Sequence, residues 1–283
     1  MVGKTKTPQI VGIGEIVFDI LPDSRKLGGA PADFLNSATK YGSRTHLISA
    51  IGADDLGREV ISQLDKFNID PILAVTPYPT GRVVIFNTPN NSYSAHILEN
   101  AAWDYIPLTH AAELCIKKAD AIYFDTLALR KSYSKSTILD LIDEASPGAY
   151  KFFDINLRQN YYSKETIEQL LERANILKLN IDELKILKML FNLCGSIEDI
   201  CLKIKEAYQL KYVILSNGVK ENFVWGNELT SMQNTKLKQN FAFGAGNAFA
   251  GAFMSCILKG LPQKSAHELA NEAGAELCLS SSS

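Results

Sequence analysis

The chain has 283 residues, 46% of them hydrophobic, with 29 Lys and Arg against 31 Asp and Glu for a net charge of −2. That length can bury a large core, and the balanced charge, with no block of one sign, argues against a nucleic-acid or polyanion binder. No apolar run is long enough to span a membrane, and residues 1–7 lack the apolar centre of a signal peptide, so a cytoplasmic protein is expected.

Short β-rich apolar runs alternate with helical patterns, the mark of a sheet covered by helices. Residues 9–14 read as a buried strand, and 31–41 as a helix with an early proline and Gly42 as its stop. A strand at 45–50 and a helix at 55–67 follow. Strands at 121–124, 151–155, 176–179 and 212–215 then alternate with helices at 135–145, 164–173, 181–190 and 197–208. The last helical pattern covers 248–258 and is ended by Gly260 and Pro262. Two segments break this rhythm: 15–21, and 81–98 with a turn at Pro89-Asn90-Asn91-Ser92, read as antiparallel strands with little helix nearby. They are expected to form a small sheet acting as a lid over a cleft, on a single α/β domain spanning residues 1–283.

Cys115, Cys194, Cys201, Cys256 and Cys278 are odd in number, and no pair has the spacing of a zinc knuckle or redox motif, so reduced and mostly buried thiols are expected. His46, His96, His110 and His267 are scattered, which fits packing or surface roles.

Several constellations carry chemistry. Gly244-Ala245-Gly246 stands at a helix start, where unpaired N–H groups and partial positive charge can hold an anion. The small residues at 244–246, 248, 250 and 251 equally suit a helix that packs tightly. An enzyme passing a phosphoryl group to a hydroxyl wants a carboxylate one residue past the second glycine. That residue is Asn247, and an amide cannot take the proton. Gly28-Gly29-Ala30-Pro31-Ala32-Asp33 reads as a structural turn or a binding loop. Asp19, in an apolar strand, sits on a solvated face or faces ligand hydroxyls. Asp154, Asn156 and Arg158 end a strand on alternate positions, so all three are expected to face one way, at the end of the strand where α/β folds bind ligands. Asn180 with Glu183 is either a helix capping box or a pair beside a magnesium-bound triphosphate. Neither a Walker loop nor a dinucleotide fingerprint is present.

Taken in order, these residues resemble the ribokinase (PfkB) family of carbohydrate kinases, and most closely its fructokinase-like branch. The resemblance runs from about residue 10 to about 278 and rests on Gly14-Glu15 with Asp19, Gly28-Gly29-Ala30-Pro31-Ala32, Gly52 with Asp54 and Gly57, Pro79-Thr80-Gly81, Ala102-Trp103-Asp104, Asp154 to Arg158, Asn180 with Glu183, and Gly244-Ala245-Gly246. It implies a Rossmann-like sheet flanked by helices with a small β-sheet lid, and an ATP-dependent sugar kinase with Mg2+ and ATP as co-substrate and fructose as the sugar. Asp19, Gly28, Gly29, Asp33 and Arg158 would lie at the substrate. Asn180, Glu183, Ser216 and Gly218 would serve the nucleotide, with Glu183 reaching Mg2+ through water. Gly244, Ala245 and Gly246 would stabilise the transferred group, and Asn247 occupies the place of the catalytic aspartate. A homodimer through the lid strands is also implied, supported in the sequence by the apolar run 83–86.

The chain departs from the family pattern in four places. Asp33 stands where the glycine-pair motif usually closes with Asn. Phe241-Ala242 replaces an Asp-Thr pair tied to a monovalent-cation site, which implies that this site is lost. Glu221 replaces the second glycine of the motif that begins at Ser216, and Asn247 replaces the base. Two readings follow: a sugar kinase of reduced activity, or a sugar-binding pseudokinase acting as sensor or partner subunit.

Overall fold

A computed structural model describes residues 6–87, 93–218, 221–233 and 244–280, except for the side chains of residues 87, 93 and 278–280. The described chain begins with β1 (Gln9–Ile13), β2 (Val17–Ile20), β3 (Arg25–Gly28) and α1 (Ala30–Lys40). It continues through β4 (Arg44–Gly52), α2 (Asp55–Lys66), β5 (Ile69–Thr76), β6 (Gly81–Asn87) and β7 (Tyr93–Ile97). Next come α3 (His110–Lys118), β8 (Ala121–Asp125), α4 (Ser132–Asp143), β9 (Tyr150–Asp154), α5 (Lys164–Leu171), β10 (Ile176–Asn180) and α6 (Ile181–Leu190). The last elements are α7 (Ile197–Ala207), β11 (Tyr212–Asn217), β12 (Glu221–Trp225), β13 (Leu229–Gln233), α8 (Ala245–Leu258) and α9 (Gln263–Ser280).

Nine strands form one sheet in the order β13-β12-β11-β10-β9-β8-β1-β4-β5, parallel except for β12 and β13. Its inner parallel strands, β1, β4 and β8 to β11, are mostly buried on both faces, which explains their near-continuous apolar sequences. Side chains alternate across the sheet. Ile10, Tyr123, Phe152, Ile176 and Ile214 pack with Phe34 and Leu35 of α1, Leu64 of α2, Phe253 of α8 and Ala270 of α9. Val11, Phe124, Phe153, Leu177 and Leu215 pack on the other face with Ile116 of α3, Leu141 of α4, Leu170 of α5, Leu187 of α6 and Ile204 of α7. A second, small sheet, ordered β3-β2-β6-β7 and called the lid below, is built from both irregular segments together with β3, a strand outside them. Its pairing differs from the expectation in one respect: β2 is antiparallel to β3 but parallel to β6. The expected turn at 89–92 lies outside the described residues.

The lid is tied down by buried polar contacts. Asp104, in a 3-10 turn at Ala102–Tyr105, accepts two hydrogen bonds from Arg130 at 2.6 and 2.7 Å. Arg130 also lies 4.0 Å from the Trp103 ring and donates to the Leu98 carbonyl at the end of the lid. Asp54 caps α2 at Gly57 N–H and accepts from both the backbone and hydroxyl of Thr80, just before β6.

Cys115, Cys201 and Cys256 are buried free thiols, whereas Cys194 is exposed. His46 and His267 are buried, and among the described residues no helix is long and apolar enough to cross a membrane.

Candidate active site

The order of strands reverses at β1, with β4 and β5 laid down on one side and β8 to β11 on the other. In such sheets the crevice at the carboxyl ends of the two central strands is where ligands bind. Polar residues collect there. Glu15, just past β1, is buried, and its Oε1 accepts the Ala30 N–H at 2.9 Å at the start of α1. Its other oxygen has no donor partner and faces Asp125 at the end of β8. Burial, followed by the Asp125 charge, pushes the Glu15 carboxyl well above its usual range, so it carries the proton between the two. Burial likewise lifts Asp125 to about 6. Asp125 also accepts from Asn156 Nδ2 at 2.7 Å and Ala128 N–H at 3.1 Å.

Asp154, Asn156 and Arg158 do not face one way, contrary to the alternation expected of them. β9 ends at Asp154, and Asn156 has a left-handed backbone, with φ of 41°. Each polar group therefore goes its own way. Asp154 accepts from Lys178 Nζ at 2.6 Å and Tyr123 OH at 3.2 Å, Asn156 turns to Asp125, and Arg158 is exposed.

On the lid side, Asp19 of β2 is half-buried opposite Lys26 of β3. Its Oδ2 lies so near Gly28 that a Cβ there would sit 2.9 Å away. Burial raises its carboxyl, while Lys26 and Arg158 oppose the shift. Gly29 caps α1 with φ of 114°, and a Cβ on it would lie 2.5 Å from the Glu15 carbonyl, so Gly29 is required by close backbone approach and Gly28 by the Asp19 carboxylate. Asp33 follows in the first turn of α1, near enough to the Asn247 side chain for its amide to favour the charged carboxylate. Its Oδ2 would lie 2.9 Å from a Cβ on Gly244. Burial lifts its carboxyl to about 7, with Asp19 adding to the shift and Lys26 and the Asn247 amide opposing it.

Gly244 is the left-handed N-cap of α8, with φ of 90°, and no described side chain caps the helix. The helix starts three residues earlier than its sequence pattern shows, because Ala245 and Gly246 form its first turn. Gly246 is exposed, and a Cβ on it would lie 3.4 Å from Lys178 Nζ, which places a cation from β10 beside the turn. Sequence reasoning passed over Lys178 and Asp125. The signal was there, as a lone charge within or just after an apolar buried strand.

The two readings of Asn180 and Glu183 are compatible. Asn180 Oδ1 accepts from Asp182 and Glu183 N–H at 2.9 Å each, and Glu183 Oε2 accepts from Asn180 N–H at 2.8 Å, so the capping box forms. Glu183 Oε1 reaches across to Leu157 N–H at 3.1 Å and so fixes the loop that carries Arg158. Burial first, then Asp154, raises the Glu183 carboxyl, against Lys178 and Arg158. Arg158 thus acts on both Asp19 and Glu183. Ser216 pairs in register with Asn180 at the end of β11, and Gly218 turns the chain with φ of 58°. No group of three or more His, Cys, Asp or Glu side chains among the described residues could cage a metal. Both Glu183 oxygens already accept backbone N–H groups, which fits holding a water of an Mg2+ that arrives with a triphosphate rather than the ion itself. Phe241 and Ala242 lie outside the described residues. A separate cavity of about 360 Å3 beside β5 has no titratable side chain in its lining.

A model of the pfkB family of carbohydrate kinases matches residues 22–283. The fructokinase of Vibrio cholerae O395 superposes with a TM-score of 0.83 at 23% identity, covering 97% of this chain and 99% of its own. An uncharacterized sugar kinase of Pyrococcus horikoshii superposes with a TM-score of 0.79 at 23% identity, over 94% of this chain and 90% of its own. The 5-dehydro-2-deoxygluconokinase of Bacillus thuringiensis is 24% identical over 250 residues, 84% of this chain and 75% of its own. The structural likenesses show a ribokinase-like fold, and the family match extends over most of the sequence. The chain belongs to the pfkB family of carbohydrate kinases.

Proposed function

We propose that this chain is an ATP-dependent kinase of a monosaccharide hydroxyl, with fructose as the sugar, and that it turns over slowly. The observation that carries this reading is the meeting of an open helix-start turn at Gly244–Gly246 with Asp33 of α1, which lies within electrostatic reach of Asp19 on the lid strand β2. The fructokinase of Vibrio cholerae, which shares the fold, has been solved with fructose, ADP and a calcium ion bound.

In this reading Asp19, Asp33 and the backbone of Gly28 and Gly29 hold sugar hydroxyls. Gly244, Ala245 and Gly246 receive the transferred phosphoryl group, with Arg158 and Lys178 offsetting its charge. Asn180, Ser216 and Gly218 line the nucleotide side, and Glu183 holds a water of the triphosphate's Mg2+. The ion supplies charge neutralisation of the β- and γ-phosphates. Slow turnover follows from the amide at 247, since a general base contributes about 10²–10⁴-fold when positioned and a group standing in from outside the turn supplies only part of that. The same amide favours a second reading, a pseudokinase that binds sugar without transferring phosphate. The lid's β6, with Phe86 exposed, is the surface through which two copies would pair.

Calorimetry with MgATP and fructose, run beside a turnover assay, separates the readings. Binding of both ligands with turnover well below an ordinary kcat of about 10 s⁻¹ supports the slow kinase. Sugar binding with a silent nucleotide supports the pseudokinase. Turnover at the ordinary rate contradicts the slow chemistry.

A further inference from the structure

Asn247 cannot accept a proton, yet a carboxylate stands against it. We propose that Asp33 is the general base of this kinase, taking the proton of the sugar hydroxyl that receives the phosphoryl group, while the Asn247 amide holds the carboxylate in place. This rests on the kinase reading above and supplies the step that position 247 lacks.

The geometry starts at the turn: Asp33 Oδ2 occupies the space a side chain at Gly244 would fill, and the Asn247 amide is near enough to favour its charged form. From the other side it is within electrostatic reach of Asp19 and Lys26 on the lid strands. Asp33 therefore lies between the sugar-side strands and the anion turn, which is where an attacked hydroxyl must be. The residue keeps partial exposure, an opening through which a substrate can meet it.

The other carboxylates of the site are committed elsewhere. Glu15 and Asp125 are buried against each other, Asp154 is held by Lys178 and Tyr123, and Glu183 accepts two backbone N–H groups. Asp19 lies against Gly28, facing Lys26 and Arg158. Asp33 alone adjoins the turn. Its carboxyl, lifted to about 7, is poised where a general base works best at neutral pH. The two departures at 33 and 247 then amount to one exchange: the resemblance places an amide at 33 and a carboxylate at 247, and here each has the other's place.

The step balances. The hydroxyl oxygen forms a bond to the γ-phosphorus of ATP as its proton passes to Asp33. The bond from that phosphorus to the β,γ-bridging oxygen breaks, and its electron pair leaves with ADP. Asp33 then releases the proton to water.

An acid in the first turn of a helix also suits the helix dipole, so the test must separate chemistry from capping. With the full chain, Asp33→Asn keeps a hydrogen-bonding group for the sugar but no base, so it is expected to lower kcat for fructose phosphorylation by about 100-fold or more while calorimetry still finds fructose and MgATP bound. The exchanged variant, Asp33→Asn with Asn247→Asp, is expected to recover at least about tenfold of that loss. Wild-type turnover by Asp33→Asn, or no recovery on exchange, overturns the role of Asp33 and leaves the kinase reading standing. A wild-type chain that binds both ligands and transfers nothing overturns both. If Asp33→Asn fails to fold, as judged by thermal melting, the wild-type pH profile of kcat/KM decides alone: a rise that levels off at about 7 supports the proposal, and a flat profile counts against it.

Discussion

Gly251 of α8 lies directly beneath the carbonyl oxygen of Phe34 in α1, so closely that no Cβ fits between them. The same crossing lets Ser37 Oγ donate to the Ala248 carbonyl at 2.6 Å and brings Ser43 and Ser255 hydroxyls within 2.6 Å. Asp33 and Asn247, near the starts of the two helices, meet because the crossing is this tight. The stripe of small residues and the open turn at Gly244 thus belong to one helix.

Gly251→Ala is therefore expected to force α1 and α8 apart. A core that must absorb an extra methyl against backbone loses about 1–3 kcal/mol. Urea unfolding measures the loss. A second readout is turnover, which should fall further than the lost stability explains, because the contact between Asp33 and Asn247 opens.

Glu15 and Asp125 bear on stability through their shared proton. Both carboxyls sit above their usual range in the folded chain, so the folded state holds more protons than the unfolded one. Stability is then full in acid near the unfolded values and falls as pH rises through about 6 for Asp125 and beyond for Glu15. Glu15→Gln keeps an acceptor for Ala30 N–H and a donor for Asp125 but removes one titration. Between about pH 5 and pH 8, urea unfolding should show wild type losing on the order of 1–3 kcal/mol more than the variant. Parallel loss in both proteins would contradict the shared proton.

Lys178 serves the fold and the turn at once. Lys178→Met leaves Asp154 buried with only the Tyr123 hydroxyl as donor, a break that costs about 3–5 kcal/mol. Adding Asp154→Asn should restore part of that stability. It should not restore catalysis, because the cation beside Gly246 is still missing, and kcat/KM for ATP should stay at least about tenfold low. Urea unfolding and steady-state kinetics on both variants separate these effects.

The sequence made the alternation of strands and helices legible because parallel strands buried on both faces leave continuous apolar runs. It hid β5, where Pro71 argues against a strand; the proline is tolerated because β5 is the sheet's edge. The hairpin of β12 and β13, short and half-exposed, left no periodic trace. At the site, the glycine pair, the capping box and the helix-start turn at Gly244 were all readable from residue types. The alternation expected of Asp154, Asn156 and Arg158 failed because it assumed that β9 runs on, whereas a left-handed Asn156 turns the chain. The meeting of Asp33 with Asn247 was not legible, because it joins two helices far apart in the chain.

The pH dependence of kcat/KM for fructose, in wild type and in Asp33→Asn, tests the central claim most directly. Asp33 faces Asp19 on β2, Lys26 on β3 and the Asn247 amide on α8, and together with burial they set its carboxyl at about 7. A base must be unprotonated, so the wild-type profile should rise about tenfold per pH unit up to about 7 and level off above it, and the variant should lose that rise. A wild-type profile flat from about pH 5.5 to 8.5, or a rise that survives Asp33→Asn, would contradict the account.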